Sequence, residues 1–308
     1  MKNKFNLFIW TEAFNCAELL NPVLKSFCKT SKYRINAYIF DYEFDKINFF
    51  NDQVTYHRIP TKFDIRNAKR SLIGKWIRSG YKKGHLGTAR FWSYLIKSRK
   101  EKYFVHFDSD ILFLEDSISE FEVGFSKGAA CIGRRRMYLF NKNSTNKVRG
   151  IKDCIDTVFF GFKTNILRLL PYFLLIPLIR GVGSINYFWK TLDFFDKVTL
   201  LLSKFGKIVY LDSPEAGVSA EVNYDSEFNK SFIEIFSAVG TGCAVWNRFG
   251  SAADLNLDKL SDYQKYALSN YSFYAKYILK KPIDFPSTED TKLLKKLIAL
   301  KLIDPLSN

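Results

Sequence analysis

Residues 103–114 read YFVHFDSDILFL, an aromatic and aliphatic run interrupted at its middle by Asp108, Ser109 and Asp110. Runs of this length and composition form buried strands. In a continuous strand alternate side chains share a face, so His106, Asp108 and Asp110 would point one way and Phe107 and Ser109 the other. Two carboxylates on one face of a buried strand repel each other and lose their hydration, and they persist only with positive charge beside them. A divalent metal supplies that charge. Asp108 and Asp110 are hard oxygen ligands suited to Mg²⁺ or Mn²⁺, with coordination positions left for water and a substrate phosphate. The alternative is a strand that ends here, where the pair is solvated and caps the following turn.

The segments before this run read as alternating strands and helices. NLFIW (6–10), INAYIF (35–40) and VTYHRI (54–59) are β-branched and aromatic, and AELLNPVLKSFCK between the first two has helical spacing. Alternation of this kind implies a parallel sheet covered on both faces, with ligands beyond the carboxyl ends of its strands. Thr11 and Glu12 follow the first strand and Asp41 the second, where contacts to a base and ribose fall; each is also an ordinary loop residue type. A helix expected from about Thr88 starts near Arg90, which is placed either to reach a phosphate or ribose or to stand as a solvated charge.

Beyond residue 114 the strands GAACIG (128–133), followed by Arg134, Arg135 and Arg136, DTVFFGF (156–162) and KIVYL (207–211) are expected. Gly161 within DTVFFGF marks a close approach of ligand or backbone. Residues 165–180 read as one or two apolar helices, 189–205 as a helix ended by Gly206, and FSAVGTGCAVWN (236–247) as a flexible loop around Gly240 and Gly242. The fold class is therefore α/β, a Rossmann-type mixed sheet flanked by helices with a C-terminal helical extension. The expected division is a domain over 1–250, in two halves at 1–115 and 116–250, and an extension over 251–308.

Charge narrows the partners. The 308-residue chain carries 47 Lys and Arg against 31 Asp and Glu, a net charge of +16, which favours nucleic acid, an anionic membrane surface or a phosphorylated small molecule. No zinc-finger or RRM-type signature appears and the aromatic residues fall in apparent core strands, so nucleic acid is not expected as a partner. Cys16, Cys28, Cys131, Cys154 and Cys243 are odd in number and widely spaced, which fits a reducing, cytoplasmic setting. The N-terminal MKNKFNLFIW is too short in apolar residues for a signal peptide.

Two segments suit a peripheral membrane contact. LLPYFLLIPLI (169–179), flanked by Arg168 and Arg180, is too short to span a bilayer, and TKLLKKLIALKLI (291–303) is a basic amphipathic helix with Leu293, Leu294, Leu297, Leu300 and Ile303 near one stripe. Each is equally readable as a segment docked on the protein itself.

FIWTEAF, GTARFWSYLI, HFDSDILF and DTVFFGF together make residues from about 5 to 247 resemble the GT-A class of glycosyltransferases. The resemblance implies a nucleotide-sugar donor, a glycan or lipid-linked acceptor, and a divalent ion held on the D-x-D motif. For residues 1–250 it implies a catalytic domain with a nucleotide-binding half at 1–115 and an acceptor half at 116–250. It implies Asp110 as the direct metal ligand and Asp108 as the residue touching ribose, or the metal through water. Many members of the class add a C-terminal histidine to the metal, whereas this chain has only His57, His85 and His106 and offers Thr241, Gly242 and Cys243 at the corresponding place. Related inverting enzymes carry a carboxylate base on the helix after the Gly-containing strand, which implies Asp193 and Asp196; Asp193 would otherwise pair with Lys197 on a solvated face. Glu215 and Glu221 are the next candidates. Tyr187, Phe188, Trp189 and Trp246 are core residues or platforms for sugar rings. The rival enzyme class is a nucleotidyltransferase acting on sugar phosphates, against which stands the lack of a Gly-rich phosphate loop near the first strand.

Overall fold

The computed structural model describes residues 6–81, 86–113, 115–135, 154–180, 194–211, 232–234, 239–249, 258, 260, 262–287 and 291–304. Its strands begin where the β-branched and aromatic runs begin. In chain order come β1 (Leu7–Ala13), a 3-10 turn at Ala17–Leu19 continuing into α1 (Leu20–Thr30), β2 (Ile35–Phe40), β3 (Val54–Ile59), α2 (Ala68–Tyr81), α3 (Leu86–Ser98), β4 (Tyr103–Phe107) and β5 (Ile111–Phe113). Then follow α4 (Ile118–Ser126), β6 (Ala129–Arg135), β7 (Ile155–Lys163), α5 (Asn165–Leu169), α6 (Tyr172–Arg180), α7 (Asp196–Leu202), β8 (Lys207–Tyr210) and β9 (Phe232–Glu234). The chain continues through α8 (Val239–Phe249), α9 (Asp262–Tyr274), a π-helical turn at Ala275–Leu279 and α10 (Thr291–Ala299).

Seven strands form one sheet in the order β3-β2-β1-β4-β7-β6-β8. β4 runs parallel to β1, with Leu7 opposite Tyr103 and Trp10 opposite His106, and antiparallel to β7. β6 is antiparallel to β7 and parallel to β8. The fold is thus the expected α/β class, a mixed Rossmann-like sheet flanked by helices. The chain divides into two compact units, residues 1–10, 58–107 and 118–229 in one and 11–57, 108–117 and 230–308 in the other. Both are discontinuous, and residues 230–308 belong with 11–57.

In the first unit the core is aromatic. Trp92 of α3 meets Trp10, His106, Phe160, Phe194 and Phe195 at ring separations between 4.7 and 5.9 Å. Edge-on and tilted geometries of this kind add to simple area burial. His106, read from the sequence as sharing a face with the aspartates, is fully enclosed here and meets the Thr157 carbonyl at 3.3 Å. Gly161 lies opposite Val105; a Cβ there would stand 2.6 Å from the Phe121 ring and 3.0 Å from the Phe104 carbonyl oxygen. The close approach that this glycine permits is therefore to its own core.

In the second unit the C-terminal segment is docked. Leu294, Leu297, Leu302 and Ile303 are buried. Lys29 of α1 donates to the carbonyls of Leu300 and Lys301 at 2.7 and 3.0 Å, capping the end of α10 with a cation where the helix dipole favours one. Lys280 and Asp304 form a further ion pair. Of the two readings of this segment, the apolar stripe packs inward. Removing residues 289–308 takes away four buried aliphatic side chains, each stabilising by roughly 1.5–3 kcal/mol. Differential scanning fluorimetry of the truncated chain is expected to show a melting temperature lower by at least about 5 °C; an unchanged melting curve would show that the stripe does not pack.

Candidate functional site

The D-x-D segment is a turn, not the middle of a strand. β4 ends at Phe107, the chain turns through Ser109 and Asp110, and β5 starts at Ile111 in a separate two-stranded sheet with β9. This corrects the expectation of one continuous strand with both carboxylates on a single face. The physical reason is that β4 is buried along its whole length, so a carboxylate within it would lose its hydration. The two aspartates differ: Asp108 is partly exposed, whereas Asp110 is only 7% exposed. β5 then packs on α1, and the Phe113 N–H donates to Ser26 Oγ at 3.0 Å.

Thr11, Glu12, Asp41, Asp108 and Asp110 all belong to the second unit. Thr11 and Glu12 are in β1 itself, which runs to Ala13, three residues beyond the expected end. Thr11 is completely enclosed, and its hydroxyl has no hydrogen-bond partner among the described residues. Asp41 opens a 3-10 segment, Asp41–Lys46, directly after β2.

That segment carries a residue the sequence reading missed. Glu43, 1% exposed, reaches the turn after β1 and accepts the backbone N–H of Asn15 at 2.5 Å and of Ala17 at 3.5 Å. Lys46 stands 3.5 Å from the same carboxylate. Asn15 sits at φ 67°, a left-handed conformation that asparagine tolerates better than most residues, and its side chain accepts from the Tyr42 hydroxyl at 2.8 Å. The turn between β1 and α1 is therefore closed by the protein's own carboxylate. The cue lay in DYEFDK, where Asp41 drew attention by its position and Glu43 performs the contact.

The segment expected as a flexible loop around Gly240 and Gly242 is helix α8. Gly242 is there because α8 lies against α9: a Cβ would come within 2.0 Å of the Ala267 carbonyl oxygen. From α8 and α9, Cys243 and Tyr271 both donate to Glu18 Oε1, at 3.7 and 2.9 Å, and Lys281 lies 3.8 Å from Oε2. Asn247 donates to the Asn15 carbonyl at 3.1 Å, and the Tyr274 hydroxyl to that of Leu19 at 3.4 Å.

These contacts create an electronegative interior. The Cys16 thiol is pushed well up by its hydrogen bond with Cys243, by burial, and by the charges of Glu43 and Asp110. Burial raises the Tyr274 phenol, with Asp110 and Glu18 adding to the effect; burial likewise raises Tyr271, which also donates to Glu18. Thiol and phenols therefore stay protonated at neutral pH. Asp110, Glu43 and Glu18 favour a cation in their neighbourhood. Among the described residues no group of three or more His, Cys, Asp and Glu is arranged to hold a metal ion. Asp108 and Asp110 offer two carboxylates, the hard oxygen donors that Mg²⁺ or Mn²⁺ takes.

The remaining sequence candidates lie elsewhere. Arg90 belongs to the first unit, donates to the Trp76 carbonyl at 2.6 Å and to Ser79 Oγ at 2.8 Å, and stacks over the Trp76 ring at 5.1 Å, tying α3 to α2. Asp196, also of the first unit, starts α7 and is completely enclosed. Trp246 is partly buried against the core pair Leu260 and Leu268. Asp193, Glu215, Glu221, Tyr187, Phe188, Trp189, Arg136 and His85 lie outside the described residues.

No protein-family model and no curated protein matches the chain. Among solved structures it is similar to mouse xyloside xylosyltransferase 1 in its apo form, at 14% identity and a TM-score of 0.39 over 68% of this chain and 85% of that one. It is also similar to 4-diphosphocytidyl-2C-methyl-D-erythritol synthase from Anaerococcus prevotii, at 9% identity and a TM-score of 0.37 over 68% of this chain and 86% of that one. At TM-scores this low neither likeness says what this chain does.

The Glu43 clamp makes a measurable prediction. Glu43→Gln keeps the shape but can no longer accept from both N–H groups, leaving a buried donor unsatisfied at a cost of about 1–3 kcal/mol. Urea denaturation followed by tryptophan fluorescence is expected to show a lower midpoint for this variant; an unchanged midpoint would mean that water replaces the carboxylate without loss.

Proposed function

We propose that the chain is a transferase acting on a nucleotide-activated substrate, and specifically a glycosyltransferase that uses a nucleotide sugar. The observation that carries this reading is the Asp108–Ser109–Asp110 turn, which follows the central strand β4 and belongs to the same unit as Thr11, Glu12 and Asp41. In sheets of this type ligands sit beyond the carboxyl ends of the strands, and these residues are at or just after the ends of β1, β2 and β4.

Asp110 and Asp108 hold Mn²⁺ or Mg²⁺ in this reading, Asp110 directly and Asp108 directly or through water. When bound, the ion neutralises the diphosphate as the glycosidic bond breaks. The carboxylates of Glu12 and Asp41 orient the nucleoside, while Thr11 is completely enclosed and does not meet it. Asp196 is enclosed at the start of α7, so the carboxylate that takes the proton of the acceptor hydroxyl is Asp193 or Glu215, with Glu221 next. The acceptor is a glycan or a lipid-linked saccharide, in a cytoplasmic setting.

One observation weighs against the nucleotidyltransferase alternative. Donors that a phosphate loop would present after the first strand, the N–H groups of Asn15 and Ala17, are taken by Glu43.

A panel of nucleotide sugars with Mn²⁺ tests the reading by thermal shift and donor hydrolysis. A cognate donor at a hundred times its dissociation constant stabilises the native state by about 2.7 kcal/mol. Asp110→Asn is expected to abolish that stabilisation and to lower transfer by at least about a hundredfold. Without metal this variant should melt at or above the parent temperature, because repulsion between carboxylates is relieved. Near-normal turnover of Asp110→Asn would sink the assignment of the metal site. Consumption of a nucleoside triphosphate and a sugar phosphate, with release of pyrophosphate, would establish the nucleotidyltransferase instead.

A further inference from the structure

The first unit exposes apolar side chains that its own packing does not explain. Helix α6 packs inward through Leu175 and Ile179 and turns Phe173, Leu174 and Pro177 outward. Phe173 is 73% exposed, and Leu169, just before it at the end of α5, is 83% exposed. α2 adds Leu72, 59% exposed, and the turn before it adds Ile65, 83% exposed. Single exposed leucines are ordinary, but a cluster on neighbouring helices marks an interaction surface. These helices are neighbours because α2 and α6 both pack on α3, and Trp76 of α2 meets Tyr172 of α6 edge-on at 6.0 Å.

Where the helices meet there is an open pocket of about 540 Å³. Lys69, Ile73 and Trp76 of α2, Tyr94 and Lys97 of α3 and Tyr172 of α6 line it. Lys69, Ile73 and Trp76 recur at helical spacing, so one face of α2 presents a cation followed by apolar bodies. The surroundings are strongly basic. Residues 62–81 hold Lys62, Arg66, Lys69, Arg70, Lys75 and Arg78 against the single acidic Asp64, and residues 163–180 hold no acidic side chain at all.

Exposed aromatic and aliphatic side chains ringed by lysine and arginine are what an anionic bilayer surface recognises: the apolar groups enter the acyl boundary while the cations meet phosphates. We propose that the α2–α3–α6 face docks on a membrane containing anionic phospholipid, with Lys69 at the pocket meeting a lipid phosphate. Trp76, Tyr94 and Tyr172 suit the interfacial layer, where one end of the side chain is apolar and the other wet. Arg168, which the sequence offered as a flanking charge, is not part of this surface. Its guanidinium donates to the Ile96 and Glu101 carbonyls at 3.1 and 2.8 Å and caps the end of α3. The docked α10 removes the other sequence candidate. The proposal stands apart from the reading of the aspartate turn.

Cosedimentation of the full chain with vesicles tests it, using phosphatidylcholine alone and phosphatidylcholine doped with phosphatidylserine. The parent is expected to bind the doped vesicles selectively and to lose binding as salt is raised. Leu169→Ser with Phe173→Ser, and separately Lys69→Glu with Arg70→Glu, should each weaken binding by about tenfold or more while leaving the melting temperature in place, since all four positions are exposed. Equal binding of the parent to both vesicle types, or no binding to either, would overturn the proposal without any variant. So would a concentration-dependent dimer of the parent that Leu169→Ser with Phe173→Ser dissociates, because the face would then pair two copies of the chain. Binding of random-sequence RNA that competes with vesicles and is lost with Lys69→Glu and Arg70→Glu, but not with the apolar pair, would assign the charge to nucleic acid.

Discussion

Complete burial of β4 is the constraint on which the rest of the structure depends. All five of its residues, Tyr103 to Phe107, are enclosed between β1 on one side and β7 on the other. No carboxylate can sit in such a strand without losing several kcal/mol of hydration. The ladder must therefore stop where the aspartates begin, and it does: the strand ends at Phe107. A chain that resumes with Ile111, Leu112 and Phe113 needs a second apolar surface at once, and β9 and α1 provide it. Three polar residues between two apolar runs are thus the signature of a change of sheet. The turn they make leads straight into β5, which packs on α1 within the same unit.

Around Asp110 the second unit accepts an unusual density of acid. Glu43 is stabilised by accepting two backbone N–H groups, and Glu18 by accepting from Tyr271 and Cys243 with Lys281 nearby. Each carboxylate also has one lysine near it, Lys46 at 3.5 Å from Glu43 and Lys281 at 3.8 Å from Glu18. The region's ionisable neighbours, Cys16 and Tyr274, are pushed toward their protonated forms.

Much of the sheet was legible because strand boundaries coincide with changes in side-chain type: INAYIF and VTYHRI are β2 and β3 to the residue. The readings that failed did so where a residue type has two uses. Glycines in VGTGCAVWN suggested a loop, yet Gly242 serves the close approach of α8 to α9, a contact defined only by residues far along the chain. Thr11 and Glu12 looked like the start of a loop because they are polar, while β1 continues through them under the pull of its neighbours. Glu43 and Glu18 were invisible for the same reason: their partners are backbone atoms and side chains brought together only by the fold. In the D-x-D turn the residues were found and the backbone was misread, since period-two alternation cannot show whether a strand ends.

The net charge of +16 illustrates how composition overstates availability. Several cations are consumed as caps on carbonyls that helices leave unpaired at their C-termini. Lys29 closes α10, Arg168 closes α3, and Lys97 donates to the Arg168 carbonyl at 2.5 Å near the end of α5. A lysine or arginine in this role lowers the energy of the fold, and part of its charge is already met by peptide dipoles. Lys62, Arg66, Lys69, Arg70 and Lys75 are exposed on α2 and the turn before it. Their position beside exposed leucine, isoleucine and phenylalanine sets apolar side chains and cations on one surface.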